Sequence, residues 1–328
     1  MKKEKVAGLI LTHNRKELLK KGINALLNQT YELEKILIVN NNSTDGTKEY
    51  LESLNNDKIE VLNINENIGS GGGYHEGIKY LEKEEKYDWI WLMDDDALPE
   101  KKALEKMINA YLSLPENKRN NTAVLQNDVI TIEEDFFKKT NDNNTNIWLK
   151  KREFTVFVGF MIKTSVVKEV GYPKKEYFVG FEDVEYGFRI RRRGYYMYTV
   201  KGAYIFHKAW NFAESWEDTI LYDETKNIEP ERIKKRFIFK KVNVDGWRLY
   251  YHFRNAYNAF EEEPNIFLRS LGKLWLYYDR FVWSIVEKDK LKFVDLGLEH
   301  GKKNIMGITM LPSKSKEPIL VDKIKQYK

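Results

Sequence analysis

Trp89-Ile90-Trp91-Leu92-Met93-Asp94-Asp95-Asp96-Ala97-Leu98-Pro99 is a run of five large apolar residues that passes directly into three carboxylates. The apolar five have the length of a buried strand, and Pro99, with no N–H to donate, marks the end of extended pairing. Three adjacent acids repel one another and resist desolvation, so a cluster at a strand end calls for a compensating cation. Hard oxygen ligands at Asp94 and Asp96 suit Mg²⁺ or Mn²⁺, which keep waters and take phosphate oxygens as further ligands. The competing reading of an isolated triplet is a solvated acidic turn, and the rest of the chain decides between the two.

The triplet is the last of four strand ends of one kind. Val6-Ala7-Gly8-Leu9-Ile10-Leu11 precedes the polar Thr12-His13-Asn14-Arg15, after which Leu18, Leu19, Ile23, Leu26 and Leu27 recur at helical spacing. Ile36-Leu37-Ile38-Val39 is a second buried strand, followed by a polar turn over 40–46 and a short helix over 47–54. A third strand, 59–64, leads to Asn67-Ile68-Gly69-Ser70-Gly71-Gly72-Gly73, with a helix expected over 74–83. Strands alternating with helices predict a parallel sheet with right-handed crossovers, in which ligands sit at the C-terminal strand ends. All four polar loops then converge on one crevice, and the carboxylates become part of a site.

These loops have chemistry to offer. Thr12 and Asn14 suit hydrogen bonds to a nucleotide, and Arg15 presents a charged fork to phosphate or a plane to a base. The turn that starts at Asn40 and Asn41 supplies amides and hydroxyls for a base or ribose, with Asp45 expected to cap the next helix. The glycines after Asn67, Gly72 and Gly73 among them, let backbone N–H groups approach a ligand at a helix N-terminus, where anions are favoured. The run is not a P-loop, because no Gly-Lys-Ser/Thr closes it, and no acidic ribose partner completes a dinucleotide fingerprint.

In this order, Thr12-His13-Asn14-Arg15, Ser43-Thr44-Asp45-Gly46-Thr47, the glycine run and the Asp-rich triplet resemble the family 2 glycosyltransferases with a GT-A fold. That fold is α/β, a Rossmann-like mixed sheet flanked by helices. Residues 67–77 followed by Trp91-Leu92-Met93-Asp94-Asp95-Asp96 are similar to the bacterial galactofuranosyltransferase and rhamnosyltransferase branch. Many members carry Asp-Asn where this chain has Asn40-Asn41, so an amide carbonyl would accept from a pyrimidine N3–H in place of a carboxylate. The resemblance implies an inverting, metal-dependent hexosyltransferase acting in cell-surface polysaccharide synthesis. Its donor would be a UDP or dTDP sugar, UDP-galactofuranose ahead of dTDP-rhamnose, and its acceptor a glycan or lipid-linked glycan. Asn67 and Asp94 count among the donor contacts, while Asp95 faces the ribose or neither ligand.

In the second half, residues 101–114 predict a helix, and 122–132 a strand within the polar stretch 116–145. Residues 154–162 return to the sheet, and a helix over 165–170 ends near Gly171. Phe181-Glu182-Asp183-Val184-Glu185-Tyr186-Gly187-Phe188-Arg189 opens another helix. An acid in a first turn is held ionised by backbone N–H groups, which suits it to accept a proton from a sugar hydroxyl. By the residues alone, Asp183 serves equally as a cap and Glu185 with Arg189 as an i, i+4 pair. The resemblance implies the catalytic base at Asp183, with Glu182 touching the acceptor or orienting the base. It also implies a metal ligand at His207, after a strand over 203–206, beside Asp94 and Asp96; an imidazole ligand leans toward Mn²⁺. Trp210 and Trp216 suit either a sugar subsite or core packing.

Tyr250-Tyr251-His252-Phe253-Arg254-Asn255 resembles the Tyr-Tyr-x-x-Arg-Asn helix of the same branch, where Arg254 either reaches a diphosphate or holds the helix against the catalytic half. Beyond it Phe267, Leu271, Leu274, Trp275, Tyr278, Phe281, Val282 and Ile285 form an aromatic helical face, interrupted by Arg269, Lys273 and Arg280. Such a face suits a core, a homo-oligomer interface or contact with the inner membrane leaflet. The expected organisation is a GT-A catalytic domain over 1–225, with a nucleotide-sugar half (1–114) and an acceptor and base half (115–225), then a helical region over 226–328.

Composition narrows the alternatives. The 328 residues contain no cysteine, which excludes disulfides and thiolate metal sites. The formal charge of +5 is unevenly placed, with basic runs at 189–193, 232–236 and 240–241 that suit anionic surfaces or phosphates. No nucleic-acid reader motif is present, so no nucleic acid partner is expected. The first apolar run is too short for a secretory signal and no later one reaches spanning length, so a cytoplasmic protein, free or peripheral on the inner face of the membrane, is expected. A sugar nucleotidyltransferase would need a Gly-rich basic N-terminal loop, where this chain has Leu11-Thr12-His13-Asn14. A non-catalytic glycan-assembly subunit would not need Asp94, Asp96, Asp183 and His207 together.

Overall fold

The structure, a computed structural model, describes residues 3–132, 147–208, 245–311 and 319–320. Four apolar runs form β1 (Val6–Thr12), β2 (Lys35–Asn41), β3 (Ile59–Ile64) and β4 (Trp89–Asp94), parallel and in the spatial order β3-β2-β1-β4. The helices α1 (Lys16–Leu27), α2 (Thr47–Glu52) and α3 (Gly69–Lys83) make the crossovers. Alternate strand residues point to opposite faces. Val6, Ile10, Ile36, Ile38, Trp89, Trp91 and Met93 therefore pack with α1 on one side, and Ala7, Leu9, Leu37, Val39, Ile90 and Leu92 with α3 on the other. Both faces are covered, which is why the strands read as unbroken apolar runs. Burial of each such side chain contributes roughly 1.5–3 kcal/mol.

After β4 the chain makes the short strand β5 (Ala97–Pro99) and the helices α4 (Ala103–Leu112) and α5 (Glu116–Asn120). It continues with β6 (Thr122–Ile132), β7 (Trp148–Lys151), β8 (Phe160–Lys163), α6 (Thr164–Val170), α7 (Glu182–Arg192) and β9 (Tyr196–Lys208). These complete a nine-stranded sheet in the order β3-β2-β1-β4-β8-β6-β9-β5, with β7 also on β9. β8 runs antiparallel to β4 and β6, so the sheet is mixed, and only its first half has the purely parallel character that helix–strand alternation predicts.

Three local departures have identifiable causes. The third helix begins at Gly69 and not at Tyr74, because the glycines let it lie close to the sheet. A Cβ on Gly73 would stand 2.3 Å from Leu11 Cδ1, and one on Gly77 2.5 Å from Leu9 Cδ1. Close packing outweighs glycine's poor helix propensity. Pro99 pairs opposite Ile205 where it was expected to end pairing, and β5 is the last strand of the order, where an edge tolerates a missing donor. Only the end of the expected strand over 154–162 forms, since Gly159 adopts φ +69° against Asn127.

Three further helices, α8 (Gly246–Glu262), α9 (Ile266–Val286) and α10 (Leu291–Lys302), precede the small pair β10 (Met310–Leu311) and β11 (Ile319–Leu320). Trp210, Trp216 and the expected boundary at 225/226 lie outside the described residues. Among the described residues no helix is long and apolar enough to cross a membrane. The helical region joins the sheet domain through Arg254, fully buried in α8. Its Nη1 donates to the Gly307 carbonyl at 2.6 Å, and its Nη2 to the carbonyls of Glu176 and Tyr177, both at 3.1 Å. Asn255 Nδ2 adds bonds to the carbonyls of Tyr177, Val179 and Gly180 at 2.8–2.9 Å. Of the two roles open to Arg254, the structure has it holding the helix against the sheet domain.

Gly69 sits at φ +73°, and a Cβ there would meet the Phe178 carbonyl oxygen at 2.0 Å. Gly69→Ala is therefore expected to destabilise the fold by about 3 kcal/mol or more, read from its urea midpoint. Arg254→Met, which strands several buried carbonyls, is expected to cost a similar amount, about 3 kcal/mol.

Candidate active site

The C-terminal ends of β1, β2 and β4 meet the first turns of α3 and α7 around a cleft of about 400 Å³. Thr12 closes β1, and its Oγ1 donates to Asp95 Oδ2 at 2.8 Å. One turn on, Arg15 Nη1 reaches Asp95 Oδ1 at 3.1 Å and Asp96 Oδ2 at 2.8 Å, with nearly half of its side chain still exposed. Asp95 is therefore directed at Thr12 and Arg15. Burial pushes its carboxyl up to about 7, against the pull of Arg15. Asp94, the most exposed of the three, accepts a bond from the buried Tyr74 hydroxyl at 2.5 Å.

His207 stands near the end of β9 on the other side of the triplet. Its Nε2 is 3.1 Å from Asp96 Oδ1 and 3.7 Å from Asp94 Oδ2. Burial disfavours the imidazolium, yet the two carboxylates outweigh it and raise His207 to about 10. Asp96 moves the other way: burial would raise it, but His207 and Arg15 hold it below its ordinary value. Its Oδ1 is buried and still lacks an aligned hydrogen-bond donor. One ligand atom from each of Asp94, Asp96 and His207 can be chosen so that all lie within 4.8 Å of one another. Two carboxylates and an imidazole form a donor set that fits a divalent cation.

The loops after β1 and β2 are more internally bonded than their residue types suggest. Asn14, at φ +55°, accepts the Thr44 amide at 2.6 Å through Oδ1 and lies exposed at the rim. Asn40 donates to Asn63 and accepts the Ser43 amide. Asn41 lines the cleft, but its amide donates to Asn67 Oδ1 and the Gly69 carbonyl and accepts the Ile68 N–H. It thereby ties the second loop to the start of α3. Asp45 accepts from the first amides of two helices, Lys16 and Thr47, close to the expected capping. Gly72 and Gly73 face α3's packed side; Gly69, Ser70 and Asn67 are the members of that segment at the cleft.

The opposite wall is the start of α7. The chain enters it through three left-handed residues, Phe178, Gly180 and Phe181, the stretch that Arg254 and Asn255 grip from behind. Glu182 is buried, and Ser70 Oγ donates to its Oε1. Burial, then the charge of Asp183, raises Glu182 well above the carboxylate range. Asp183 Oδ1 accepts the Val184 N–H at 2.7 Å. Burial raises Asp183 to about 6, with backbone N–H groups pulling the other way.

Asp183 also borders a second cavity, of about 440 Å³, between α7, α8 and α9. The two cavities share Val179, Gly180, Asp183 and Arg248. Phe181, Leu249, His252, Asp279 and Trp283 line the second one. His252 Nε2 is buried without a hydrogen bond, 3.7 Å from Asp279 Oδ2, and burial lowers the imidazole to about 4, so it is neutral. Sequence reasoning missed Tyr74, Ser70, Arg248, His252, Asp279 and Trp283 as site residues. They lie on helices whose periodicity marks only which face is apolar, and no local spacing relates them to Asp94 or Asp183.

Residues 9–171 match the family model described as glycosyl transferase family 2. The poly-β-1,6-N-acetyl-D-glucosamine synthase of Staphylococcus aureus (strain COL) is 26% identical over 206 residues, covering 58% of this chain and 47% of that protein. The galactofuranosyltransferase GlfT1 of Mycolicibacterium smegmatis is 29% identical over 96 residues, 29% of this chain and 31% of the relative. The chain thus spans about half the length, or less, of these curated relatives. Among solved structures, GalNAc-T7 with UDP, GalNAc and Mn²⁺ superposes with a TM-score of 0.50 at 15% identity, covering 63% of this chain and 44% of that one. TarS of S. aureus superposes with a TM-score of 0.51 at 14% identity, covering 87% and 44%. At these identities the likeness establishes the fold, that of the GT-A glycosyltransferases, and nothing finer.

The cation test needs no substrate. Asp96→Ala is expected to weaken Mn²⁺ binding about 10-fold or more, measured by the electron paramagnetic resonance signal of free Mn²⁺. An affinity equal to that of the unmodified chain would remove the triad as a metal site.

Proposed function

From the premise that residues 9–171 belong to glycosyl transferase family 2, we propose that this chain is an inverting glycosyltransferase that moves a sugar from a nucleoside diphosphate onto a glycan hydroxyl. The observation that carries the reading is the position of Asp183, a single carboxylate on the wall shared by two cavities. One cavity adjoins Arg15 and the Asp94, Asp96 and His207 group; the other is apolar, with a neutral imidazole on its wall. A one-step displacement needs a base between donor and acceptor.

In this reading the donor diphosphate lies against Arg15 and Arg248, whose guanidinium groups offer paired donors to phosphate oxygens. Asp94, Asp96 and His207 hold Mn²⁺ or Mg²⁺, which when bound supplies positive charge against the departing diphosphate. The acceptor enters by the second cavity, its sugar ring on Phe181 and Trp283 and a hydroxyl within reach of His252. Asp183 takes the proton of the attacking hydroxyl as that oxygen bonds to the anomeric carbon. The bond to the diphosphate breaks, its electron pair leaves on the phosphate oxygen, and the anomeric configuration inverts. Glu182, protonated and on the donor side with Ser70, orients the base or donor and does not contact the acceptor.

UDP-galactofuranose is the donor we favour, with dTDP-rhamnose next. Its support is the wording of the glycine and Asp-rich segments together with the match to a galactofuranosyltransferase. The neighbour solved with UDP, GalNAc and Mn²⁺ supports a uridine nucleotide and a divalent metal. Cell-surface polysaccharide synthesis, on a free or lipid-linked glycan, is the proposed setting, in keeping with the polysaccharide-synthase relatives.

A panel of nucleotide sugars, assayed for Mn²⁺-dependent release of UDP or dTDP, tests the reading; no release from any of them would refute it. Asp183→Asn should keep nucleotide binding and lower transfer at least about 1,000-fold. A carboxyl raised to about 6 is protonated below that pH and accepts no proton. Turnover should therefore fall as pH drops through about 6 and level off above it; an acid limb near pH 4 would exclude Asp183 as the base.

A further inference from the structure

Among the described residues, the outward face of α9 is apolar and unpartnered. Six of its residues, Phe267, Leu271, Leu274, Tyr278, Phe281 and Ile285, are between 44% and 69% exposed. Their spacings are four, three, four, three and four residues, the strict 3.5-residue period of a coiled-coil seam sustained over about 27 Å. A helix that merely covers a domain core would bury such a stripe, yet Leu276, on the opposite side, is the buried residue of α9.

The cations of α9 do not border the stripe; they turn back onto their own chain. Arg269 donates to the Glu263 carbonyl at 2.9–3.1 Å, Lys273 pairs with Glu261, and Arg280 is 2.6 Å from Asp295. This differs from the membrane-surface alternative drawn from the sequence, in which basic residues flank the apolar face. A helix lying on an anionic bilayer presents its cations to the headgroups, whereas here each of the three is bonded to a carbonyl or carboxylate of its own protomer. Eleven large apolar side chains of α9 are at least 39% exposed, roughly 1,000 Å² of apolar surface at ordinary side-chain areas. That exceeds the roughly 800 Å² per partner of a standard stable interface.

We infer that α9 packs against α9 of a second copy of this chain, the heptad stripe from Phe267 to Ile285 forming the seam of a two-fold dimer. The inference does not rest on the proposed chemistry. It bears on it through Asp279 and Trp283, which lie on the inward side of the same helix and line the second cavity, so the seam would brace that cavity's wall.

Sedimentation velocity of the full chain at about 20 μM should give a particle of twice the 39.0 kDa chain mass. The double variant Leu274→Glu, Phe281→Glu sets four carboxylates into a two-fold seam. It is expected to raise the dimer dissociation constant about 100-fold or more, with circular dichroism unchanged because both positions are exposed. Phe281→Ala alone should raise it about 10-fold. A monomeric unmodified chain would overturn the inference, as would a dimer that the double variant leaves intact. So would a monomer that floats with phosphatidylglycerol and phosphatidylethanolamine vesicles, which would assign the face to lipid.

Discussion

Two of three consecutive carboxylates are buried at the end of one strand, and most of the site follows from what that burial requires. Like charges in a partly dry environment are unfavourable unless cations and hydrogen-bond donors surround them. Thr12 and Arg15 come from the end of β1 and the turn after it, and His207 comes from β9, far along the sheet. The triplet thus gathers the parallel and the mixed halves of the sheet around one point. The arrangement leaves Asp96 Oδ1 ion-paired with His207 but without an aligned donor among the described residues, and it sorts three identical residues into different states: Asp94 open to the cleft, Asp95 committed to Arg15, and Asp96 facing His207.

A second constraint sets the opposite wall. The turn into α7 holds Phe178 and Phe181 at positive φ, a backbone state that costs side-chain-bearing residues free energy and persists only where neighbours over-determine it. Arg254 and Asn255 do so from one side through carbonyls of residues 176–180, and the first turn of α3 does so from the other, with Gly71 N–H donating to the Phe178 carbonyl at 3.1 Å. The position of Asp183 therefore depends on the C-terminal helices as much as on its own. A helical region that looks like an appendage in sequence is structurally part of the setting of Asp183.

Several elements were legible because their signals are local. Strand β6 spans the residues expected from composition alone, and β1 to β4 follow from apolar runs punctuated by polar loops. In sequence the glycine run suggests a loop approaching a ligand, since glycine's freedom is its visible property; what decides its conformation is the nearness of Leu11, Leu9 and Phe178. The antiparallel entry of β8 was hidden for a similar reason, because strand direction is set by the path of the chain and leaves little trace in periodicity. The bonds that tie Asn40 and Asn41 to neighbouring loops are likewise invisible in the sequence, because buried amides take whatever partners the packed loops present.

By itself the sequence determined the alternation of strand and helix, the convergence of four polar loops and the residue types Asp94, Asp96, Asp183 and His207, all of which short-range patterns or recognisable motifs express. Tertiary structure alone decided that Asp95 turns to Arg15, that Arg254 anchors a loop, that Asp183 stands between two cavities and that the cations of α9 face inward. Each of those outcomes depends on which groups remain unsatisfied once distant segments have packed, and hydrogen bonds between residues some 75 to 83 positions apart leave no periodic mark on the chain.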